Sequence, residues 1–195
     1  MTHTRFIEPE IEYHKNFAPY KKRPATDYLV VHCSATKADS SYSWKTIDQM
    51  HRQKGWLGIG YHFVIKTDGT IQNGRDIDDV GAHAVGFNER SLGICLIGGL
   101  YGKPDFTAKQ FDSLRRLLDW LLSKYPEAEV LGHRDLPDVH KECPCFNVKD
   151  WYQPPAKYVV FNGGNPMEGS KLDKPTFLKY NGTLEPEPGD LVRIN

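Results

Sequence analysis

The chain has 195 residues, enough for one domain with a sizeable core and some additional segments. Its 25 Lys and Arg residues balance 25 Asp and Glu residues, so no overall attraction to nucleic acid or to an anionic membrane is implied. No apolar stretch approaches the roughly 18–20 residues that span a bilayer. The first residues lack the apolar core of a secretory signal. We therefore expect synthesis in a cytoplasm, no membrane insertion and no nucleic-acid partner.

The N-terminal part of the chain predicts an arm, a strand and a helix. Residues 1–26 are charged and aromatic without clear periodicity, which predicts an extended arm. An apolar, β-branched run then predicts a strand over 27–32, and this strand stops on His32. The next periodic segment predicts a helix, with Ser43 as its N-cap and Gly55 just past its end.

The middle of the chain predicts a hairpin, a central strand and a long helix. Apolar residues that alternate around an Asp-Gly turn predict a β-hairpin over 60–74. Residues 91–99 are apolar at both odd and even positions, as expected for a strand covered on both faces. The long helix is expected to begin at Thr107, which can form a capping box with Gln110.

A short strand over 128–136 and a short helix over 147–152 complete a β-α-β-β-β-α-β-α order. This order predicts an α/β fold, a single domain over 27–153 with a central mixed sheet covered by helices. Residues 154–195 carry many prolines and glycines and only short apolar runs. We expect them to form a C-terminal appendage, either as a hairpin laid against the domain or partly disordered.

Two predicted strands end on histidine, which raises the question of a metal site. His32 ends the first strand, His133 lies near the end of the last, and Cys143 follows ten residues later. Zinc prefers imidazole and thiolate ligands, and three protein ligands with one open position are typical of a catalytic zinc site. The spacing of these three residues along the sequence is, by itself, weak support for a metal site. Partly buried structural histidines remain an alternative at this point.

Several long motifs occur in order and narrow the interpretation. They are VVHCSATK, GWLGIGYHFVIKTDGTI, GRDIDDVGAHAVGFNERSLGICLIGG, GHRDL and KECP. Together they resemble the zinc-dependent N-acetylmuramoyl-L-alanine amidases of the type 2 family. That family includes the small phage lysozyme-amidases of the T7 type and the peptidoglycan recognition proteins. The resemblance covers about residues 27–152.

The resemblance implies a cofactor and the residues that carry the chemistry. It implies one zinc ion per chain, with His32, His133 and Cys143 as the ligands. It also implies that Tyr61 and Lys141 are catalytic. A tetrahedral intermediate needs hydrogen-bond donors or a cation, and an amine leaving group needs a proton. Which of Tyr61 and Lys141 shuttles that proton stays open.

The same resemblance suggests residues that contact the substrate. It places His83 in the peptide-binding cleft beside the metal, and Asn88 and Arg90 follow in the same loop as further candidates. His140 and Cys145 stand close in sequence to the implied ligands, and each is an alternative metal ligand.

The leading interpretation is a zinc hydrolase that cuts the amide between N-acetylmuramic acid and L-alanine in peptidoglycan. It would be a monomeric phage endolysin, made in the host cytoplasm and acting on the wall after release through the inner membrane. A cytoplasmic wall-recycling amidase would use the same chemistry. A non-catalytic peptidoglycan-binding or regulatory protein is the third alternative, although binding relatives typically lose the cysteine ligand. The unmatched arm could contact a phage RNA polymerase.

Overall fold

The computed structural model describes residues 9–15, 18–153, 158–161 and 190–193. Residues 9–152 form one compact unit around a six-stranded sheet. Its strands are β1 (Ile11–Glu12), β2 (Tyr28–Cys33), β3 (Phe63–Ile65), β4 (Ile71–Asn73), β5 (Ser91–Leu96) and β6 (Glu129–Gly132). Its α-helices are α1 (Trp44–Gln53), α2 (Ala108–Lys124) and α3 (Val148–Trp151).

The sheet is mixed, with the strand order β1-β4-β3-β5-β2-β6. β2 lies parallel to both β5 and β6, and β3 lies parallel to β5. The predicted hairpin is the antiparallel pair of β3 and β4. This arrangement confirms the predicted fold class, a single α/β domain with a central mixed sheet.

Different helices cover the two faces of the sheet. Phe63 and Ile65 of β3 belong to the core cluster that contains the buried leucines of α2. Val64, which lies between them, packs in a second cluster with Ile47 of α1. Because successive side chains of a strand point to opposite faces, α1 and α2 lie on opposite faces of the sheet. The central strand β5 is consequently buried along its whole length.

The long helix α2 begins at the predicted capping box. Thr107 Oγ1 accepts a hydrogen bond from the Gln110 amide at 3.1 Å, and Gln110 Oε1 accepts one from the Thr107 amide at 3.0 Å. The fully buried Gln110 also donates through Nε2 to the carbonyls of Ile65 and Ile97, at 3.1 and 3.0 Å. One side chain therefore starts the helix and fixes it against the ends of β3 and β5.

The structure adds an edge strand that the sequence does not indicate. β1 pairs in parallel with β4, and farther along the chain Lys22 forms an isolated bridge with Asp79. Part of the segment predicted as an arm therefore belongs to the compact unit. A strand of two residues is too short to produce a detectable alternation of apolar and polar positions.

A second unit comprises residues 1–8 and 153–195, of which few are described. In it, β7 (Tyr158–Phe161) pairs with β8 (Asp190–Arg193) in an antiparallel two-stranded sheet. Both strands lie within the segment predicted as the C-terminal appendage, and the role of that segment stays a prediction. Within the described ranges of both units, no helix combines the length and the apolar character needed to cross a bilayer.

Candidate metal centre

Two neighbouring strands each carry a histidine at their carboxyl end, on the same end of the sheet. β2 and β6 are parallel and hydrogen-bonded, so their carboxyl ends lie side by side. His32 is the next-to-last residue of β2, and His133 directly follows β6. The ligand atoms of His32, His133 and Cys143 all lie within 4.8 Å of one another. Among the described residues, these three side chains form the group that could hold a metal ion, and neither His140 nor Cys145 belongs to it.

Backbone contacts hold Cys143 close to the carboxyl ends of β2 and β6. The backbone amide of Cys33 donates to Cys143 Sγ at 3.3 Å, and the amide of Arg134 donates to the Cys143 carbonyl at 2.8 Å. Gly132, the last residue of β6, leaves room for the adjacent Pro144, because a Cβ at Gly132 would lie 2.8 Å from Pro144 Cδ. The loop that carries the cysteine is thus fastened to both histidine-bearing strands.

A chain of hydrogen bonds orients the His32 ring. Its Nδ1 lies 3.8 Å from Cys143 Sγ, and its Nε2 lies 3.0 Å from His83 Nδ1. His83 Nε2 lies 3.4 Å from Ser91 Oγ, which donates to the Phe87 carbonyl at 2.7 Å. If Nδ1 of His32 is the ligand atom, its Nε2 carries the proton and donates a hydrogen bond to His83 Nδ1. His83 Nε2 then donates a hydrogen bond to Ser91 Oγ. Such an outer hydrogen bond fixes the tautomer and the orientation of a ligating histidine.

The environment of His32 and His133 favours the neutral form of both rings. Burial, followed by the influence of His83, His133 and Lys141, lowers the pKa of His32 well below its usual value. Burial and the Lys141 ammonium lower the pKa of His133. Neutral imidazole is the form that binds a metal ion. Together with the Cys143 thiol, this donor set fits zinc, and three protein ligands leave a position for water or substrate.

The two predicted catalytic residues lie beside the cluster. The ring centroid of Tyr61 is 5.1 Å from that of His32. Burial raises the pKa of Tyr61 well above its usual value, so its hydroxyl is protonated at neutral pH and can donate a hydrogen bond. Lys141 is exposed, and its charge acts on both His32 and His133.

The three predicted substrate contacts have different surroundings. His83 is only 9% exposed and contacts His32. Asn88 Oδ1 accepts hydrogen bonds from the amides of His83 and Ala84, at 2.8 and 2.9 Å, so this side chain supports the loop. Arg90 Nε donates to Asp27 at 2.6 Å, beyond the opposite end of β2 and roughly 16 Å along the strand from His32. Contact of these residues with substrate stays a prediction.

Sequence reasoning missed two supporting contacts, the Cys33 amide on Cys143 and the His83 ring on His32. Cys33 directly follows the apolar run of the predicted first strand, and such a run gives no signal of a contact made by a backbone amide. The signal for His83 in the sequence is its position between two small residues, Ala82 and Ala84, in GAHA. A Cβ at Gly93 would lie 2.5 Å from His83 Cγ, and one at Gly81 would lie 2.5 Å from its Cδ2, so the ring fits against bare backbone.

We expect His83→Ala to weaken zinc binding about 10–100-fold, the usual cost of losing an outer hydrogen-bond partner of a ligating histidine. Competition with a chromophoric chelator measures this affinity, and circular dichroism checks that the variant is folded. His140→Ala removes an exposed histidine from the same part of the chain and should leave the affinity unchanged. A folded His83→Ala protein with unaltered zinc affinity would exclude an orienting role for His83.

A mixed sheet with an open His-His-Cys site at the carboxyl ends of two parallel strands is typical of a metallohydrolase. A sequence profile of the N-acetylmuramoyl-L-alanine amidases matches residues 21–146. The endolysin of Escherichia phage T7 is 45% identical over 138 residues, which cover 69% of this chain and 90% of the endolysin. The chain therefore belongs to the N-acetylmuramoyl-L-alanine amidase family, and it is an amidase of that specificity.

Solved structures agree with this assignment. The endolysin amidase LysCS from Clostridium intestinale aligns with a TM-score of 0.64 and 35% identity, over 73% of this chain and 91% of LysCS. A tyrosine-to-phenylalanine variant of Drosophila PGRP-LB, in complex with tracheal cytotoxin, aligns with a TM-score of 0.55 and 30% identity. That alignment covers 64% of this chain and 76% of the Drosophila protein. The predicted family and fold are confirmed.

Proposed function

We propose that this amidase is a zinc-dependent phage endolysin, which cuts the amide between N-acetylmuramic acid and L-alanine with one zinc ion per chain. The observation that carries the proposal is the convergence of His32, His133 and Cys143 within 4.8 Å. The similarity to the phage T7 endolysin supports the lytic role. A wall-recycling amidase in the cytoplasm would use the same site.

Different residues of the chain would bind the metal, stabilise the charge on the carbonyl oxygen and protonate the leaving amine. His32, His133 and Cys143 would hold the zinc ion, which when bound supplies a Lewis acid that activates water and polarises the scissile carbonyl. Tyr61 donates a hydrogen bond to the carbonyl oxygen as negative charge develops there. The ammonium of Lys141 stabilises the same charge. One of these two residues gives the leaving amine its proton.

Recognition of peptidoglycan without cleavage is the second candidate function. It is favoured by the similarity to Drosophila peptidoglycan-recognition protein LB, whose tyrosine-to-phenylalanine variant is solved in complex with tracheal cytotoxin. Cys143, Tyr61 and Lys141 are all present beside the histidines, which supports cleavage instead. Release of a new free L-alanine amine from the wall separates the two functions.

Metal analysis combined with a wall-lysis assay tests the zinc proposal. We expect about one zinc per chain, loss of lysis when a chelator removes the metal, and recovery when zinc is added back. Mass spectrometry of the soluble products should identify cleavage at the lactyl–alanine amide. Full lysis by metal-free protein would refute zinc dependence, and zinc-loaded protein that binds the wall without cutting it would support the recognition function.

The cellular route and the partners belong to the same proposal. A monomer made in the host cytoplasm would reach the wall once the inner membrane is breached, and peptidoglycan would be its substrate. The contact with a phage RNA polymerase stays a prediction, which co-purification with the polymerase would test.

We propose that residues 27–153 contain the whole active site and that 154–195 contribute little to the chemistry. The compact unit of residues 9–152 contains all of the proposed ligands and catalytic residues. A chain that ends at Gln153 should therefore retain zinc and cleave small soluble muropeptides at a rate close to that of the full chain. If the shortened chain is folded and binds zinc yet fails on soluble muropeptide, the appendage must complete the active site.

A further inference from the structure

Two cysteines that the proposed chemistry does not use lie in contact beside the metal centre. Cys33 is the last residue of β2 and directly follows His32, and Cys145 lies two residues past Cys143. The sulfur atoms of Cys33 and Cys145 are 3.6 Å apart. A disulfide bond is about 2.05 Å long, so the two sulfurs must approach by about 1.5 Å to form one. Small side-chain rotations cover such a distance.

The surrounding backbone directs both sulfurs to the same place. A Cβ at Gly99 would lie 2.7 Å from Cys33 Sγ and 3.3 Å from Cys145 Sγ, so only a glycine leaves room for the pair. Cys145 has a φ of 75°, in the left-handed region that is unfavourable for residues other than glycine. This conformation places Cys145 Sγ 3.7 Å from the Gly99 carbonyl and against Cys33.

We propose that Cys33 and Cys145 form a dithiol pair that a small-molecule disulfide oxidises to an intramolecular disulfide, with Cys143 left free for the metal. Cys145 is partly exposed, whereas Cys33 is 5% exposed, so Cys145 reacts first. Both thiols are protonated at rest. On losing its proton, Cys145 attacks one sulfur of the small disulfide, forms a mixed disulfide and expels one thiolate. Cys33 loses its proton in turn, attacks Cys145 Sγ and expels the second thiolate. The two expelled thiolates take up the two protons that the cysteines lost.

Cys143 is the competing partner in this exchange, because it also lies against Cys33. Its sulfur accepts a hydrogen bond from the Cys33 backbone amide at 3.3 Å and lies 3.8 Å from His32 Nδ1. In the zinc-loaded protein this sulfur is a metal ligand and is withdrawn from exchange. The pairing of Cys33 with Cys145 therefore leaves the metal site intact, whereas pairing with Cys143 would destroy it.

The disulfide would fasten two of the metal ligands to each other. It joins the end of β2, which carries His32, to the loop that carries Cys143, across a sequence separation of 112 residues. A disulfide that closes so long a loop strongly reduces the conformational entropy of the unfolded chain and so stabilises the folded one. Oxidation should therefore raise the melting temperature by roughly 5–15 °C.

Treatment of the zinc-loaded full chain with glutathione disulfide tests the proposal. Non-reducing peptide mapping should recover the Cys33–Cys145 linkage with a mass loss of two hydrogen atoms. Zinc should stay bound, the melting temperature should rise, and dithiothreitol should reverse these changes. Cys145→Ser should show neither the linkage nor the rise, and the matched Cys95→Ala variant, which removes a buried cysteine from β5, should show both.

Three results would overturn the pairing. They are a linkage that contains Cys143, zinc release during oxidation, and Cys33 and Cys145 that are both still recovered as free thiols after treatment. Peptide mapping requires neither wall lysis nor amidase activity, so a failure of this proposal is distinguishable from a failure of the proposed function.

Discussion

The Cys143→Ser protein is expected to lose most of its zinc and nearly all amidase activity. A neutral hydroxyl is a poor replacement for a thiolate ligand of zinc. The loss of affinity should exceed the roughly 10–100-fold that follows removal of an outer hydrogen-bond partner. Metal analysis after gel filtration measures the zinc content, and release of free L-alanine amines from purified wall measures the activity.

Cys145→Ser is the matched control, because it removes a thiol two residues away in the same loop. Cys145 lies outside the cluster of ligand atoms, and burial raises its pKa to about 12, so its thiol is protonated at neutral pH. This variant should keep its zinc. Full zinc in Cys143→Ser together with zinc loss in Cys145→Ser would show that the cysteine ligand has been misassigned.

The sequence predicts well those elements whose apolar pattern is long. The capping box of α2 and the doubly buried β5 both appear as expected. The parallel neighbours β5, β2 and β6 are not adjacent along the chain, so their order follows from packing rather than from local pattern. β1 was missed because two residues cannot display a period.

At the site, the sequence predicts the types of ligand but not how they are supported. His32 and His133 stand at strand ends, where a rigid sheet fixes the position of a side chain. The link from His83 to His32 joins residues 51 apart, and the contact of Cys33 with Cys145 spans 112. Irregular loops set both distances, and loops have no hydrophobic period from which their paths could be derived. Asn88 illustrates the same point, because its side-chain oxygen accepts hydrogen bonds from backbone amides of its own loop.

Tyr61→Phe and Lys141→Ala are expected to retain zinc and yet to lose activity by roughly 10²–10³-fold each, or about 2.7–4 kcal/mol of transition-state stabilisation. The phenylalanine variant lacks only the hydroxyl of the Tyr61 ring that packs against His32. The alanine variant lacks the cation that acts on both His32 and His133. The rate constant for cleavage of a soluble muropeptide at saturation should fall more than the apparent affinity, because both groups act on charge that develops during the reaction.

Matched variants separate these roles from general effects on the surface. Tyr101→Phe removes a hydroxyl from a tyrosine that is 88% exposed, and Lys45→Ala removes an exposed charge from α1. Both should cleave at the rate of the unchanged chain. If either Tyr61→Phe or Lys141→Ala cleaves at a near-normal rate with zinc bound, that residue has no part in the mechanism. If one of them instead loses its zinc, the residue supports the metal site, and its loss of activity says nothing about the transition state.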